Sequence, residues 1–378
     1  MNCSICKKPM QNVLTTNQSV CVNNYSQQAV TQYAVQEAFY CNECQYIKNQ
    51  HPWTMEQLFG AYAYTSPSTK LLSPVLDRLE EFCREHDINS ICEVGGNNGL
   101  FLSELQKRWP NATYHNIDKW HDSTLHPSIE TVCTFVDDTS KAHLKNLKPQ
   151  LVICRHMLAH NPDAKKLLNN IISQLSEPKY LYIENSDFEQ TIALDDYGQL
   201  YPEHFYAFSK NAIVGLLKSS HYSLKNMFDF EIHNGSFGCM FTDGRGERHI
   251  ELDTIAADTN LDQRIANWTE SCLDFEEKVA IDERPVGVVG ISAKFVFTCN
   301  AILTGTMRQK VGQIYDSTKK KEGLYPPGFK VKVQSERQLC EFPKNGLIII
   351  GARNFFPEIR DKLISKGFIS ENIIMPPF

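Results

Sequence analysis

The segment Ile91–Leu102 constrains the fold more than any other part of the chain. A short apolar strand, Ile91–Val94, leads into the turn Gly95-Gly96-Asn97-Asn98-Gly99, and the apolar spacing from Leu100 to Trp109 predicts a helix. Glycines let a ligand approach the backbone, and the start of a helix offers unpaired N–H groups. This order of strand, turn and helix predicts an α/β domain that holds a nucleotide-like cofactor at the turn.

Two acidic residues narrow the choice of cofactor. The spacing G-G-x-x-G differs from the dinucleotide fingerprint G-x-G-x-x-G. Glu93 stands before the glycines, as is typical of S-adenosylmethionine enzymes, and Asp118 ends the next strand, where a carboxylate can accept both ribose hydroxyls. The alternative is an ordinary strand-to-helix turn without a ligand. The pair of acidic strand ends favours the cofactor.

The order of strands and helices predicts an α/β fold with two Rossmann-like units. Strand and helix patterns alternate from residue 71 to residue 184, which predicts a doubly wound parallel sheet with its ligand at the carboxyl ends of the strands. A charged helical stretch at 246–285 precedes two more buried strands, Val286–Gly290 and Leu347–Gly351. We expect three parts: an N-terminal module with an aromatic linker at 1–70, a cofactor-binding domain at 71–245 and a second α/β domain at 246–378.

Four of the thirteen cysteines have the spacing of metal ligands. Cys3-x-x-Cys6 and Cys41-x-x-Cys44 can place four thiolates around one Zn²⁺, and a site closed by four thiolates leaves no position for a catalytic water. We therefore predict a structural zinc in a module with little core of its own. The sequence Gln28–Thr31 between the pairs is typical of a strand, and the remaining cysteines are interpreted as small buried hydrophobic residues.

The composition is that of a globular protein, and nothing in it indicates binding to nucleic acid or to a membrane surface. The net charge is −6, the chain is 42% hydrophobic, and the nearest basic run, Lys319–Lys321, is too short for a nucleic-acid patch. No apolar run reaches transmembrane length and the N-terminus is polar, so we expect a cytoplasmic protein. The oligomeric state is left open by the sequence.

Several separated motifs, in this order, resemble the zinc-containing sugar C-methyltransferases that act on nucleotide-linked keto-deoxysugars. The similarity extends over most of the chain. Its motifs are Cys3, Cys6, Cys41 and Cys44, the stretch Tyr62–Ser66, the loop Glu93–Gly99, the segment Arg155–His160, the stretch Tyr201–Ser209, the turn His233–Ser236, the stretch Gly290–Lys294 and the turn Pro326–Gly328.

The resemblance implies a methyltransferase domain, two cofactors and a set of site residues. S-adenosylmethionine and a structural Zn²⁺ are the expected cofactors, and a nucleotide-linked sugar is the expected substrate. The residues expected at the cofactor are Glu93, Gly95, Asn97, Gly99, Asp118 and His156. Those expected at the sugar nucleotide are Tyr62, Gly290, Ser292 and Lys294, with Lys294 near the diphosphate.

Carbon methylation requires a base, and a histidine suits that role near neutral pH. His204 is the candidate that would remove a proton next to a ketone, with Glu203 and Tyr201 beside it to orient or donate. His233 is a second candidate, as a donor to the enolate oxygen or a substrate contact, and Tyr64 belongs to an aromatic arm that forms either a lid or a packing segment. The bland interpretation of His204 is a surface histidine beside a turn.

The motifs also depart from the family in the region that would face the substrate. Pro202 replaces the first histidine of the family's H-E-H, and Gly238 stands where an arginine is usual. Methyl transfer to carbon is still the expected reaction, but these departures put the particular sugar in doubt. They leave open O- or N-methylation of another polysaccharide precursor and a non-catalytic binding protein on a degenerate methyltransferase fold.

Overall fold

A computed structural model of the protein describes residues 1–29, 31–60, 69–119, 129–244 and 260–378. Within these residues the strands form three sheets. The expected α/β class is confirmed.

The N-terminal module is a small antiparallel sheet with the four cysteines at its ends. Its elements are β1 (Gln11–Ser19), β2 (Ala34–Cys41), β3 (Tyr46–Gln50) and the short helix α1 (Met55–Phe59). The first strand pairs with the second and the second with the third. The prediction of a strand at Gln28–Thr31 is wrong for its described residues, since Gln28 and Ala29 lie in a bend and Thr31 in irregular structure between the strands.

The central domain is built on a mixed sheet of the order β10-β11-β8-β7-β4-β5-β6. Its elements are α2 (Thr69–Glu85), β4 (Ser90–Val94), α3 (Leu100–Arg108), β5 (Thr113–Ile117), β6 (Glu130–Val132), α4 (Lys141–Leu144), β7 (Leu151–Arg155), α5 (Ala164–Gln174), β8 (Tyr180–Ser186), α6 (Phe188–Ala193), β9 (Tyr206–Ala207), α7 (Lys210–Leu217), β10 (Tyr222–Phe230) and β11 (Ser236–Asp243).

The five strands for which the sequence predicted a parallel sheet are parallel, and two strands that it did not predict extend the sheet with antiparallel pairing. Strands β4 to β8 are parallel, whereas β11 runs antiparallel to β8, and β10 antiparallel to β11. The middle strands are apolar on both faces: Leu151, Val152 and Ile153 are fully buried. Helices cover both faces of such a sheet, so the carboxyl ends of its parallel strands are where side chains can meet a ligand.

The C-terminal domain is a second, smaller α/β unit, as predicted. Its sheet is parallel in the order β14-β13-β12-β15-β16. Its elements are α8 (Leu261–Ile281), β12 (Val286–Val289), α9 (Ala293–Ala301), α10 (Thr306–Lys310), β13 (Val311–Asp316), β14 (Val333–Ser335), β15 (Leu347–Ile350), α11 (Phe356–Ser365) and β16 (Ile373–Ile374).

The N-terminal module shares its core with both α/β domains. One set of its side chains, including Met10 and Tyr46, packs with Phe205 and Phe208 of the central domain. Another set, including Val13, Val22 and Tyr40, packs in one cluster with Trp268 and Phe297 of the C-terminal domain, and the Thr16 hydroxyl donates to the Ala301 carbonyl over 2.7 Å. The described part of the N-terminal module therefore contacts both domains and links them.

Across the described parts of the chain, each helix is too short or too polar to cross a lipid bilayer.

Glu276 joins α8 to the start of α10 and provides a test of the C-terminal domain. Its carboxylate is 3% exposed and accepts hydrogen bonds from the backbone N–H groups of Thr304, Gly305 and Met307 and from the Thr304 hydroxyl. Glu276→Ala leaves these buried donors without an acceptor, so we expect a loss of about 2–4 kcal/mol in the free energy of unfolding. Urea titration followed by tryptophan fluorescence measures it.

The exposed neighbour Glu277 on the same helix is the matched control. Glu277→Ala should change the free energy of unfolding by no more than about 0.5 kcal/mol. Equal effects of the two substitutions would show that the carboxylate of Glu276 does not organise this junction.

Candidate active site

The turn after β4 has the geometry that the sequence predicted. Gly95 has a φ of +78°, and a Cβ on it would lie 2.4 Å from Cγ of Met157, so a larger residue is excluded there. The Asn97 N–H donates to Oδ2 of Asp118 over 2.8 Å, which ties the turn to the end of β5. Gly99 precedes α3 as its N-cap. Gly95, Asn97, Gly99 and Asp118 therefore come together at one edge of the sheet.

Because Gly96 has no side chain, the turn leaves space beside two buried acceptor atoms. A Cβ at Gly96 would lie 2.3 Å from Oδ1 of Asn116 and 2.8 Å from Oε2 of Glu93. Both oxygens are buried and accept no hydrogen bond from the described residues. Burial raises the pKa of Glu93 to about 7, although Arg155 opposes the shift. Buried acceptors of this kind fit a ligand that brings its own hydroxyl or amino donors.

Behind Glu93 lies an ion network that sequence reasoning missed. The guanidinium of Arg155 donates to both carboxylate oxygens of Glu184, over 3.0 and 3.2 Å, and the His156 Nε2–H donates to Oε1 of Glu184 over 2.8 Å. Burial opposes the ionisation of Glu184, but Arg155 and His156 hold its pKa well below the usual range. His156, a predicted cofactor contact, is thus positioned by Glu184 with a φ of +49°.

His204 and Tyr201 form a dyad in the loop that precedes β9. Their rings stack with centroids 4.1 Å apart, and the Tyr201 hydroxyl lies 2.9 Å from Nε2 of His204. Nδ1 of His204 lies 2.8 Å from the Gln199 carbonyl, which can only accept, so the proton is on Nδ1. Burial and the neighbouring His160 lower the pKa of His204 well below 6.5. The ring is neutral, and its Nε2 lone pair accepts from Tyr201.

The side chain of Glu203 contacts different groups from that of its neighbour His204. Its side chain is fully buried and accepts from the backbone N–H of Asn23 over 3.1 Å, while its carbonyl accepts from Nδ1 of His160 over 2.7 Å. The His160 ring in turn lies 4.9 Å from that of His204. Glu203 therefore attaches the loop to the N-terminal module rather than touching the imidazole of His204, and His160 is the group that the structure adds beside the dyad.

The N-terminal module holds the loop of His204 in place. Asn49 of β3 donates from Nδ2 to the carbonyls of Leu200 and His204, over 3.1 and 2.7 Å. The adjacent β9 pairs antiparallel with β3. The loop is therefore tied to the module through its backbone on both sides of Glu203.

The substrate residues expected from the C-terminal domain lie at its first turn, but they are engaged by protein groups. Lys294 Nζ forms an ion pair with the buried Asp196, which also accepts from Nδ2 of Asn234. Ser292 caps α9 and donates to the Gly351 carbonyl over 2.6 Å, and the Gly290 N–H donates to the Tyr315 carbonyl. Lys294 is close enough to His204 to contribute to the lowering of its pKa.

Three predicted residues cannot be placed. Tyr62 and Tyr64 lie outside the described residues, and so does the side chain of His233, whose backbone forms part of a short 3₁₀ turn.

The structure explains one departure from the family motifs, at Gly238, and shows a backbone contact at the other, Pro202. A Cβ at Gly238 would lie 2.3 Å from the hydroxyl of Tyr182, which donates to Glu184 over 3.1 Å. Tyr182 therefore fills the space that a side chain at Gly238 would need. The carbonyl of Pro202 accepts from Nε2 of His51 over 2.9 Å, so this position is also held by the N-terminal module.

The four cysteines of the module meet in one cluster. Their sulfur atoms lie within 4.8 Å of one another, with 3.8 Å between Cys3 and Cys44 and 3.6 Å between Cys6 and Cys41. A tetrahedral Zn²⁺ with bonds of about 2.3 Å to sulfur separates its ligands by about 3.8 Å. The donor set and its spacing therefore fit a structural zinc.

Comparisons with known proteins agree with this geometry. Residues 63–224 match the model of a family described as a methyltransferase domain. The C-methyltransferase NovU of Streptomyces niveus is 22% identical over 342 residues, which are 85% of this chain and 81% of that protein. The chain thus carries an S-adenosylmethionine-dependent methyltransferase domain.

Solved structures give weaker likenesses. The magnesium protoporphyrin IX methyltransferase of Synechocystis PCC 6803 with bound SAH is 12% identical, with a TM-score of 0.38 over 48% of this chain and 90% of that one. The N-methyltransferase NodS of Bradyrhizobium japonicum WM9 is also 12% identical, with a TM-score of 0.36 over 47% of this chain and 98% of that one.

The burial of Glu203 predicts a pH-dependent stability. Burial raises the pKa of this carboxyl to about 8, from 4.5 in the unfolded chain. The folded state therefore holds the proton more tightly, and this stabilisation is complete below pH 4.5 and is lost as the pH rises through 8. We expect the free energy of unfolding of the wild type to fall by on the order of 3 kcal/mol between pH 5 and 8.5 because of this group, and Glu203→Gln to abolish that fall. Urea unfolding at both pH values measures it.

Glu231→Gln, at an exposed position, is the control and should unfold like the wild type at each pH. If Glu203→Gln and the wild type lost stability in parallel as the pH rises, Glu203 would be charged in the folded protein, contrary to its surroundings.

Proposed function

We propose that the protein transfers a methyl group from S-adenosylmethionine to a carbon atom next to the ketone of a nucleotide-linked keto-deoxysugar. The observation that carries the proposal is the His204–Tyr201 dyad, a neutral imidazole whose basic Nε2 is held by a hydroxyl at the edge of the cofactor domain. The likeness to a C-methyltransferase over 85% of the chain supports the choice of carbon as the acceptor atom.

The cofactor would be held at the turn after β4. When bound, S-adenosylmethionine supplies the methyl group as an electrophile. The unpaired oxygens of Glu93 and Asn116 are suited to accept hydrogen bonds from its polar groups, and Asp118 is placed at the strand end where ribose hydroxyls bind in other α/β sites.

His204 would act as the base in the acceptor reaction. Its Nε2 is unprotonated at neutral pH, so it can take a proton from carbon once the Tyr201 hydroxyl yields its place or passes the proton on. Such a base contributes on the order of 10²–10⁴-fold to the rate. The Gln199 carbonyl holds Nδ1 and keeps Nε2 directed at the same point throughout.

The C-terminal domain would cover the sugar nucleotide from the other side. Lys294 reaches across to Asp196 of the central domain, at the position where a diphosphate could compete for its charge. Gly290 and Ser292 lie in the same turn, so all three belong to the surface proposed to face the nucleotide.

The proposed function is tested by supplying thymidine- and uridine-diphosphate 4-keto-6-deoxyhexoses with labelled S-adenosylmethionine. We expect His204→Gln to bind S-adenosylmethionine in calorimetry as the wild type does and to lose about 10²–10⁴-fold in turnover. NMR of the product identifies the methylated atom. His143→Gln, on an exposed helix, is the control. Methylation at oxygen, or full turnover by His204→Gln, would contradict the proposal.

Zinc bound by Cys3, Cys6, Cys41 and Cys44 is the second part of the proposal. The four-thiolate set would leave the ion a structural role, because no coordination position is open to water. We expect elemental analysis of natively purified protein to give one zinc per chain, and Cys41→Ser to lose it together with part of the thermal stability.

Cys340→Ser removes an exposed cysteine remote from the cluster and should keep the metal. A wild type without zinc whose Cys3 and Cys41 are rapidly alkylated would exclude the metal site.

A further inference from the structure

Asn185 is a buried polar residue that none of the interactions described so far uses. It lies at the end of β8 and is 1% exposed. Neither its Nδ2 nor its Oδ1 has a hydrogen-bond partner among the described residues. An amide buried in this way is costly unless a ligand completes its hydrogen bonds, so it indicates a site.

The surroundings of Asn185 identify that site. Asn185 lines one small cavity together with His156, Gln199 and His204. His156 belongs to the cofactor edge of the sheet and His204 is the base candidate, so the amide lies at the cavity where the acceptor would meet the methyl donor. Glu184, the preceding residue, has its carboxylate engaged by Arg155 and His156.

We infer that the Nδ2 group of Asn185 donates a hydrogen bond to the carbonyl oxygen of the acceptor and holds the negative charge that forms there. This rests on the proposed function. His204 Nε2 takes the proton as the C–H bond breaks, and the electron pair moves to the carbonyl oxygen as an enolate. The pair then forms the new carbon–methyl bond while the bond from the methyl group to the sulfonium sulfur breaks, and the ketone is restored.

An amide serves this role better than a cation would. The neutral donor stabilises the charge that develops on the oxygen, and it adds no positive charge that would repel the imidazolium formed when His204 takes the proton. The two functions therefore come from different parts of the structure. The base belongs to the loop that is tied to the N-terminal module, and the oxygen contact belongs to the central sheet.

The test compares wild type with Asn185→Leu, which keeps the size of the side chain and removes its donor. Because neither polar atom of the amide has a hydrogen-bond partner among the described residues, we expect the variant to unfold at the same temperature as the wild type or above it. Its affinity for S-adenosylmethionine should be unchanged, while methylation of the same keto-hexose panel should fall by about 10²–10³-fold. Asn226→Leu, at an exposed position on β10, should keep full activity.

A second readout does not need the methyl donor. Exchange of the proton next to the ketone with D₂O, followed by NMR, reports enolate formation alone and should fall in Asn185→Leu by a similar factor. If the wild type is active and Asn185→Leu exchanges the proton as fast as the wild type does, the inference is overturned. A clearly lower unfolding temperature of Asn185→Leu than of the wild type would also overturn it. If the wild type accepts none of the panel, it is the proposed function that fails, and the inference falls with it.

Discussion

Two hydrogen bonds from the amide of Asn49 are the constraint on which the geometry of the site depends. They hold the carbonyls of Leu200 and His204 against β3, so that the imidazole of His204 has a fixed backbone beneath it. The carboxylate of Glu203 also accepts a hydrogen bond from the Asn23 N–H, and β9 pairs with β3, so the backbone of the loop is held on both sides of Glu203. A base that must meet a carbon atom in line with a methyl group needs such a support, because small misplacements reduce the rate strongly.

The site separates its charges from its neutral groups. On one side of the cavity, the buried Arg155 pairs closely with Glu184 over 3.0 Å and more distantly with Glu93 over 3.8 Å, so that it offsets the desolvation of Glu184 but only part of that of Glu93. On the other side of the cavity, burial keeps His160 and His204 neutral, with the pKa of His160 lowered to about 4. The acidic side suits a sulfonium-bearing cofactor, and the neutral side suits proton removal from carbon.

The sequence predicted the features that rest on local patterns. The turn after β4, its acidic partner Asp118 and the four-cysteine cluster follow from spacing within short segments, and the structure brings each set together. Contacts between distant segments were missed. Asn116 and Asn185 lie inside strands whose alternation predicts only burial, and the attachment of Glu203 to Asn23 joins positions 180 residues apart. The roles of these side chains depend on which groups surround them in the folded protein, and residue type alone does not give those surroundings.

The shared core of the N-terminal module limits how this chain can be rearranged. Its two faces contribute to two different hydrophobic clusters, one with each α/β domain. A recombination point after residue 50 would thus cut through two interiors and not through a linker. Exchange of the C-terminal domain for one with another acceptor preference would require matched changes at Val13, Val22 and Tyr40. Segments that are separate in the sequence therefore cannot be exchanged separately: the module, the loop of His204 and the C-terminal core have to change together.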